Sequence, residues 1–327
     1  MNHRERVQAA LRGDPVDRVP VAFWNHFSSD PRTAEDLAAE AIAFQRRFDW
    51  DFVKMMPSGM YLPLAYGCEI TPAAPPIGAN GIARSIIATA DDLRRLPPLD
   101  PNRGVLGEVA RAVQLTRDAL GPDVPIIQTV FSPLTIVHKM CLGDSFRDYI
   151  ANAREAVVEA LTSITTTSIA IGRAALDAGA DGVFFATQEA TLDQMTEPEF
   201  EALGATYDRP VLNGLGERAW FRLLHVCRES IMAESVADYP VEAINWDCHH
   251  NFPSLTEASG IWPFAIVGGV DRNGIVVDGP ADAVEAEVRQ VIATVGRRFI
   301  LSAGCGLPLA RREANLDAVR REIGALA

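Results

Sequence analysis

The stretch 174–187, AALDAGADGVFFAT, passes from helix to turn to strand, and its last part decides the fold. Small apolar residues end a helix, Gly179 sits near its C-cap, and Asp181 with Gly182 turns the chain into GVFFAT. That run is apolar at nearly every position. A strand of this kind is covered on both faces, as in a parallel sheet flanked by helices, whereas a half-solvated antiparallel strand alternates.

Runs of the same type recur on either side: VPVAFW (19–24), FVKMM (52–56), VPIIQTV (124–130), RLLHVC (222–227), AINWD (243–247), FAIVGGVD (264–271) and RFILSAGC (298–305). Pro20, Pro125 and Pro253 fall at strand starts or in loops, where a missing N–H costs little. Helical patterns fill the gaps at 32–48 and 145–179, and further helices are expected at 102–120, 197–206, 229–238, 281–296 and 312–326. The Pro- and Gly-rich stretch 57–101 reads as a long connection with short elements. Eight strands alternating with helices predict an α/β fold, a (β/α)8 TIM barrel formed as one domain over 1–327, with MNHRERVQAALRGD as an N-terminal helical extension. A doubly wound open sheet is the alternative. No Gly-x-Gly-x-x-Gly follows an early strand, which argues against its dinucleotide-binding form.

The 327 residues, 48% hydrophobic, suffice for a large core. A net charge of −13 argues against nucleic acid or an anionic membrane as partner. The N-terminus has no apolar signal-peptide core, and no apolar run approaches the ~18 residues of a membrane span. Five cysteines, an odd number spread along the chain, do not form a secreted disulfide framework. A cytoplasmic protein with reduced thiols is expected. Lys54 and Lys139 are the two lysines, the remaining cations being arginine.

A barrel gathers the C-terminal ends of its strands at one mouth, where catalytic groups sit. His225 and Cys227 close the fifth expected strand, and residues i and i+2 share a face, so imidazole and thiol project together. Cys305 closes the eighth between Gly304 and Gly306. One His and two Cys make a zinc set, and three protein ligands with an open fourth position mark a catalytic site. The plainer alternative is a buried histidine and small apolar cysteines in the core.

The N-terminal RERVQAALRGDPVDRVPV, then FSPLTIVHKM, AGADGVFF, GGVDRNG and ILSAGCGLPL together resemble the uroporphyrinogen decarboxylase superfamily, from about residue 2 to the end. Within it, LLHVC followed by SAGCGLP is similar to the methylcobamide:thiol methyltransferase branch. The resemblance implies the same barrel, a zinc ion on His225, Cys227 and Cys305 that activates a thiol, and a methyl-corrinoid as donor. The decarboxylase branch carries an arginine-rich segment after the first strand that grips porphyrinogen carboxylates. This chain has FWNHFSSD there, with no arginine between Arg18 and Arg32, and Cys305 stands where that branch has histidine.

A neutral imidazole and two thiolates cancel the charge of Zn²⁺, so a thiol in the fourth position loses its proton and stays nucleophilic toward a methyl on cobalt. The Asp-x-His-x-x-Gly pattern of a corrinoid-binding module is absent, so the expected donor is a separate corrinoid protein or free methylcobalamin. Rival readings are a hydrolase with Glu189 or Asp247 as base, a decarboxylase or lyase acting on a small substrate, and a zinc- or thiol-binding protein without catalysis. The nature of the small thiol stays open. Candidate substrate contacts are Gln188 and Glu189 after the fourth strand, Asp271 after the seventh, Lys54 and Tyr61 on and beyond the second, and Asn25 with Trp24 and His26 at the first. Cys248, His249 and His250 form a possible second metal cluster, with solvent exposure as the alternative, and Cys68 and Cys141 read as structural.

Overall fold

The computed structural model describes residues 1–26, 33–72, 74 and 79–326; Arg32, expected to open a helix, and the FSSD part of FWNHFSSD lie outside them. Nine strands are present among the described residues: β1 (Val53–Met55), β2 (Glu69–Ile70), β3 (Ile82–Arg84), β4 (Ile126–Phe131), β5 (Gly182–Thr187), β6 (Phe221–Val226), β7 (Ala243–Asn245), β8 (Ala265–Val270) and β9 (Phe299–Ala303). β2 and β3 form a small antiparallel pair in the long connection. The other seven form a curled parallel sheet in the order β1-β4-β5-β6-β7-β8-β9. Every residue of β4, β5, β8 and β9 is buried, as their unbroken apolar runs require.

The expected first strand, 19–24, is reduced to isolated bridges, Val21 with Leu301 and Asn25 with Leu307. It still spans the gap between β9 and β1, because Leu301 N–H donates to Pro20 O at 2.8 Å and Asp51 N–H to Val21 O at 2.8 Å. Asp51 is the reason for the shortfall, since its carboxylate takes the Val21 N–H at 2.7 Å and removes it from the ladder. Opposite, β5 and β6 start in contact: a Cβ on Gly182 would lie 2.0 Å from Phe221 O, so only glycine permits that register.

Helices cover the outside, with three departures from expectation. The pattern 145–179 forms two helices, Ser145–Asn152 and Arg154–Asp177, broken at Ala153, which leaves helical geometry at φ −144° and ψ 40°. The segment 229–238 contains only a 3-10 turn, Glu234–Val236. Positive φ at Arg228 and Ser230, and backbone bonds from Leu192 and Met232 that tie this loop to the one after β5, hold the preceding chain out of helix. A further helix, Pro133–Met140, follows β4 with proline in its first turn. Among the described residues, no helix is long and apolar enough to cross a membrane.

The N-terminal helix, His3–Arg12, is closed by a reciprocal capping box between Asn2 and Glu5. It lies across the ends where strands begin. Arg4 reaches Asp181, just before β5, at 2.6 Å, and Arg6 reaches Asp51, just before β1, at 2.6 Å. The opposite face, where strands end, is left to the loops.

Candidate metal centre

β6 brings His225 and Cys227 to the strand-end face, and the loop after β9 brings Cys305 beside them. One donor atom from each lies within 4.8 Å of the others, and among the described residues this is the one such trio of His, Cys, Asp or Glu. His225 is 4% exposed. Its ring stacks on Phe184 of β5, centroids 5.1 Å apart, and Phe184 in turn meets Trp24 edge-on at 5.3 Å.

Asn245 of β7, directly beside His225 in the sheet, sets the imidazole's protonation. Its Nδ2 donates to Val267 O at 2.7 Å and Ala303 O at 3.0 Å, which leaves only Oδ1 to face His225 Nδ1, 2.7 Å away. An amide oxygen can only accept, so Nδ1 carries the proton and Nε2 is the free lone pair. Nε2 lies 3.5 Å from Cys305 Sγ. Tetrahedral zinc, with Zn–N of about 2.05 Å and Zn–S of about 2.3 Å, sets nitrogen and sulfur about 3.6 Å apart. The donor set and its spacing therefore fit that ion.

The two thiols are unlike. The hydrogen bond from Cys227, followed by the nearness of His225, holds the Cys305 thiol well below its ordinary value despite burial. The same bond, then burial, pushes Cys227 well above it. The two thiols share one hydrogen bond and so titrate as a pair, and a metal would hold both as thiolates. Cys305 is placed by Gly304, where a Cβ would stand 2.6 Å from Asp247 Cα and 3.0 Å from Trp246 O.

These three side chains form part of the wall of a cavity of about 520 Å³. Lys54, Gln188 and Glu189 are on the same wall, together with Trp24 and His26. Burial, aided by nearby Lys54, lowers His26 to about 4. Glu189, 1% exposed, accepts from the Thr135 hydroxyl and from His138 Nδ1–H at 2.9 Å. Burial lowers Lys54 to about 7 and Lys139 to about 8.

Three candidate contacts are turned elsewhere. The Tyr61 hydroxyl donates to Thr129 O at 3.1 Å, Asn25 is held between His26 O and the Arg311 guanidinium, and the Asp271 carboxylate accepts from Asn273 N–H at 2.9 Å in a turn. None of them is on the cavity wall; Arg272, the neighbour of Asp271, is. Cys248, His249 and His250 do not join the trio either: His249 bonds Gly269 O and His250 bonds Asp247, which is likewise off the wall. Cys141, read as structural, is buried and contributes to the wall. Asn245, His138, Lys139, Arg228 and Arg272 were not singled out from the sequence as site residues. FSPLTIVHKM, with a histidine and one of two lysines on a single helix after β4, held the available signal for two of them.

The family model of uroporphyrinogen decarboxylase (URO-D) matches residues 2–325. Methylcobamide:CoM methyltransferase MtbA of Methanosarcina acetivorans is 23% identical over 332 residues, 96% of this chain and 95% of that protein. Methylcobamide:CoM methyltransferase MtaA of Methanosarcina barkeri (strain Fusaro) is 26% identical over 330 residues, 93% of this chain and 92% of its own. A solved methyltransferase from Methanosarcina mazei, 23% identical, matches with a TM-score of 0.88 over 99% of both chains. That likeness carries the fold: the curled parallel sheet is a TIM barrel. With the family match spanning nearly its whole length, the chain belongs to the uroporphyrinogen decarboxylase family.

Proposed function

We propose that this chain is a zinc-dependent methyltransferase that moves a methyl group from a methyl-corrinoid, protein-bound or free, to a small thiol. The observation that carries the reading is the meeting of His225 Nε2 with the Cys227 and Cys305 sulfurs on the wall of a cavity. The names of the MtbA and MtaA relatives support it from outside the chain. We further take residues 1–327 to act as one barrel domain, in the cytoplasm, with a separate corrinoid protein as partner.

Zinc on His225, Cys227 and Cys305 would supply a Lewis acid that lets a thiol in the fourth position ionise near neutral pH. The chain's own residues do the rest. Asn245 keeps the His225 proton on Nδ1, so Nε2 is always the donor toward the metal. Phe184 and Trp24 form an apolar part of the wall beside the sulfurs, which would limit the water that solvates a substrate thiolate there. Gln188 and Lys54, on the same wall, would touch the substrate. In the transfer the sulfur–carbon bond forms as the cobalt–carbon bond breaks, and its electron pair stays on cobalt.

The test is zinc per chain by elemental analysis, in wild type and Cys305→Ser prepared alike. About one zinc in the wild type, much reduced in the variant, is expected. Loss of the methylcobalamin absorbance with thiol, in wild type only, should follow. A wild type that takes up no added zinc ends this reading.

A further inference from the structure

We propose that His138, held by Glu189, is the base that takes the proton of the incoming thiol. The proposal rests on the thiol reading above and adds a catalytic residue to it.

Two neighbouring strands build the couple. β4 leads through Ser132 into the helix Pro133–Met140, and β5 leads into Gln188 and Glu189. Thr135 joins the two segments: its oxygen accepts the Gln188 N–H at 3.0 Å, and its own O–H donates to Glu189 Oε2. One turn further along the helix, His138 Nδ1–H donates to Glu189 Oε1 at 2.9 Å. Both oxygens of a carboxylate that is 1% exposed are thereby engaged. Phe146 holds the imidazole from its face, with centroids 4.2 Å apart and planes 10° from parallel. A neutral ring that donates from Nδ1 keeps its lone pair on Nε2. That atom has no hydrogen-bond partner among the described residues, and the side chain, 25% exposed, is on the cavity wall. A buried carboxylate, an oriented imidazole and an open Nε2 are the parts of a general base.

The couple stands beside the sulfurs. Cys227 N–H donates to Thr187 O, two residues before Glu189, at 3.0 Å. Burial lowers Lys139, next to His138, against the pull of Glu189 and Cys227, so one ammonium is near both. Other proton acceptors on the wall suit the task less. Burial holds His26 down to about 4, which makes it a weak base. Lys54 has no carboxylate beside it among the described residues, and Lys139 is committed to Gly59 O at 2.7 Å. His138 gains its positive charge against a hydrogen-bonded carboxylate, with Glu189 as its positioning residue. In the step, the thiol S–H bond breaks, its electron pair stays on sulfur and the proton passes to Nε2, from which water at the cavity mouth removes it.

The test uses the whole chain loaded with cobalt(II) in place of zinc, without a methyl donor. A thiolate on cobalt(II) adds a sulfur-to-metal charge-transfer band, so stopped-flow mixing with 2-mercaptoethanol follows thiol ionisation directly. At pH 7 the band should rise about 100-fold more slowly in His138→Ala and in Glu189→Gln, with cobalt per chain unchanged. Added imidazole should restore the rate in His138→Ala, where it fits the vacated space, but not in Glu189→Gln, where the ring is still present. At about pH 9 to 10, where the thiol ionises in solution, the three proteins should react alike. Equal rates at pH 7 overturn the proposal, and so does a slowing of His138→Ala that imidazole does not relieve, because a packing role predicts that result. Methyl transfer from methylcobalamin is measured apart. Thiol ligation that needs His138, without any methyl transfer, sinks the methyltransferase reading alone. Transfer at the same rate with and without His138 sinks the base alone. A chain that takes up neither cobalt nor zinc overturns both.

Discussion

Asn245 shows how much one buried amide decides. It is fully buried, both its N–H groups are taken by backbone carbonyls, and its oxygen is committed to His225. Asn245→Ala leaves the imidazole free to carry its proton on either nitrogen and to rotate about its bond to the strand. Outer partners of metal-bound histidines typically contribute 10–100-fold in affinity, so zinc binding should fall by about that much. Competition with a chromophoric chelator measures it, and an unchanged affinity would show that Asn245 serves the fold only. The meeting of His225, Cys227 and Cys305 was readable from sequence, because apolar runs mark where strands end and period two puts 225 and 227 on one face. Asn245 was not. In AINWD it is one amide in an apolar run, and its meaning comes from the register that sets it beside a residue twenty positions earlier. Tyr61, Asn25 and Asp271 err the other way. Each stands near a strand end, but a nearby backbone or arginine partner turns its side chain from the cavity, and sequence does not reveal such partners.

At the scale of elements, the loop after β9 has little room. Gly304 passes so close to β7's continuation that a methyl group would strike backbone at Asp247 and Trp246. Gly304→Ala must therefore push either that loop or residues 246–247 aside, and Cys305 moves with it. Zinc per chain should drop below half of the wild-type value, with a melting temperature lowered by several degrees, as for overpacking of about 1–3 kcal/mol. Full zinc content in this variant would mean that the loop has slack the structure does not suggest. The strands were legible because each is a short apolar run bounded by turn residues. The segments that went astray are those where a tertiary contact overrides local pattern. Asp51 takes a ladder N–H from 19–24, and the pairing of Thr191 with Ile231 captures the start of the expected helix 229–238. The helix Pro133–Met140 reads locally as an apolar run, and only its burial against neighbouring helices gives it a side.

Over the whole molecule, the barrel is closed at one end and working at the other. At the strand-start end Asp51 is completely buried and accepts from His3, Arg6, Arg18 and the Val21 N–H, which ties the N-terminal helix, the segment 18–21 and β1 into one clasp. Burial alone would raise its pKa, but the bonds from His3, Arg18 and Val21 outweigh that and bring it to about 2. A carboxylate depressed in the folded state contributes stability above its unfolded value near 3.9, and loses it as pH falls from there through its folded value. The contribution is roughly 2 kcal/mol, nearly all of it gone by about pH 2. Asp51→Asn removes it at every pH and also leaves two nearly buried guanidinium groups short of a counter-charge, so the loss at pH 7 should reach about 3–5 kcal/mol. In urea unfolding, the gap between wild type and variant should be largest at pH 7, unchanged down to about pH 5, and narrower by about 2 kcal/mol near pH 2. A gap that stays constant with pH would mean that Asp51 acts through packing rather than charge. Zinc affinity at pH 7 should be the same in both proteins while they are folded, because the clasp grips the strand starts and the sulfurs sit where the strands end. A variant that lost stability and zinc together would show instead that the two ends of this barrel are coupled.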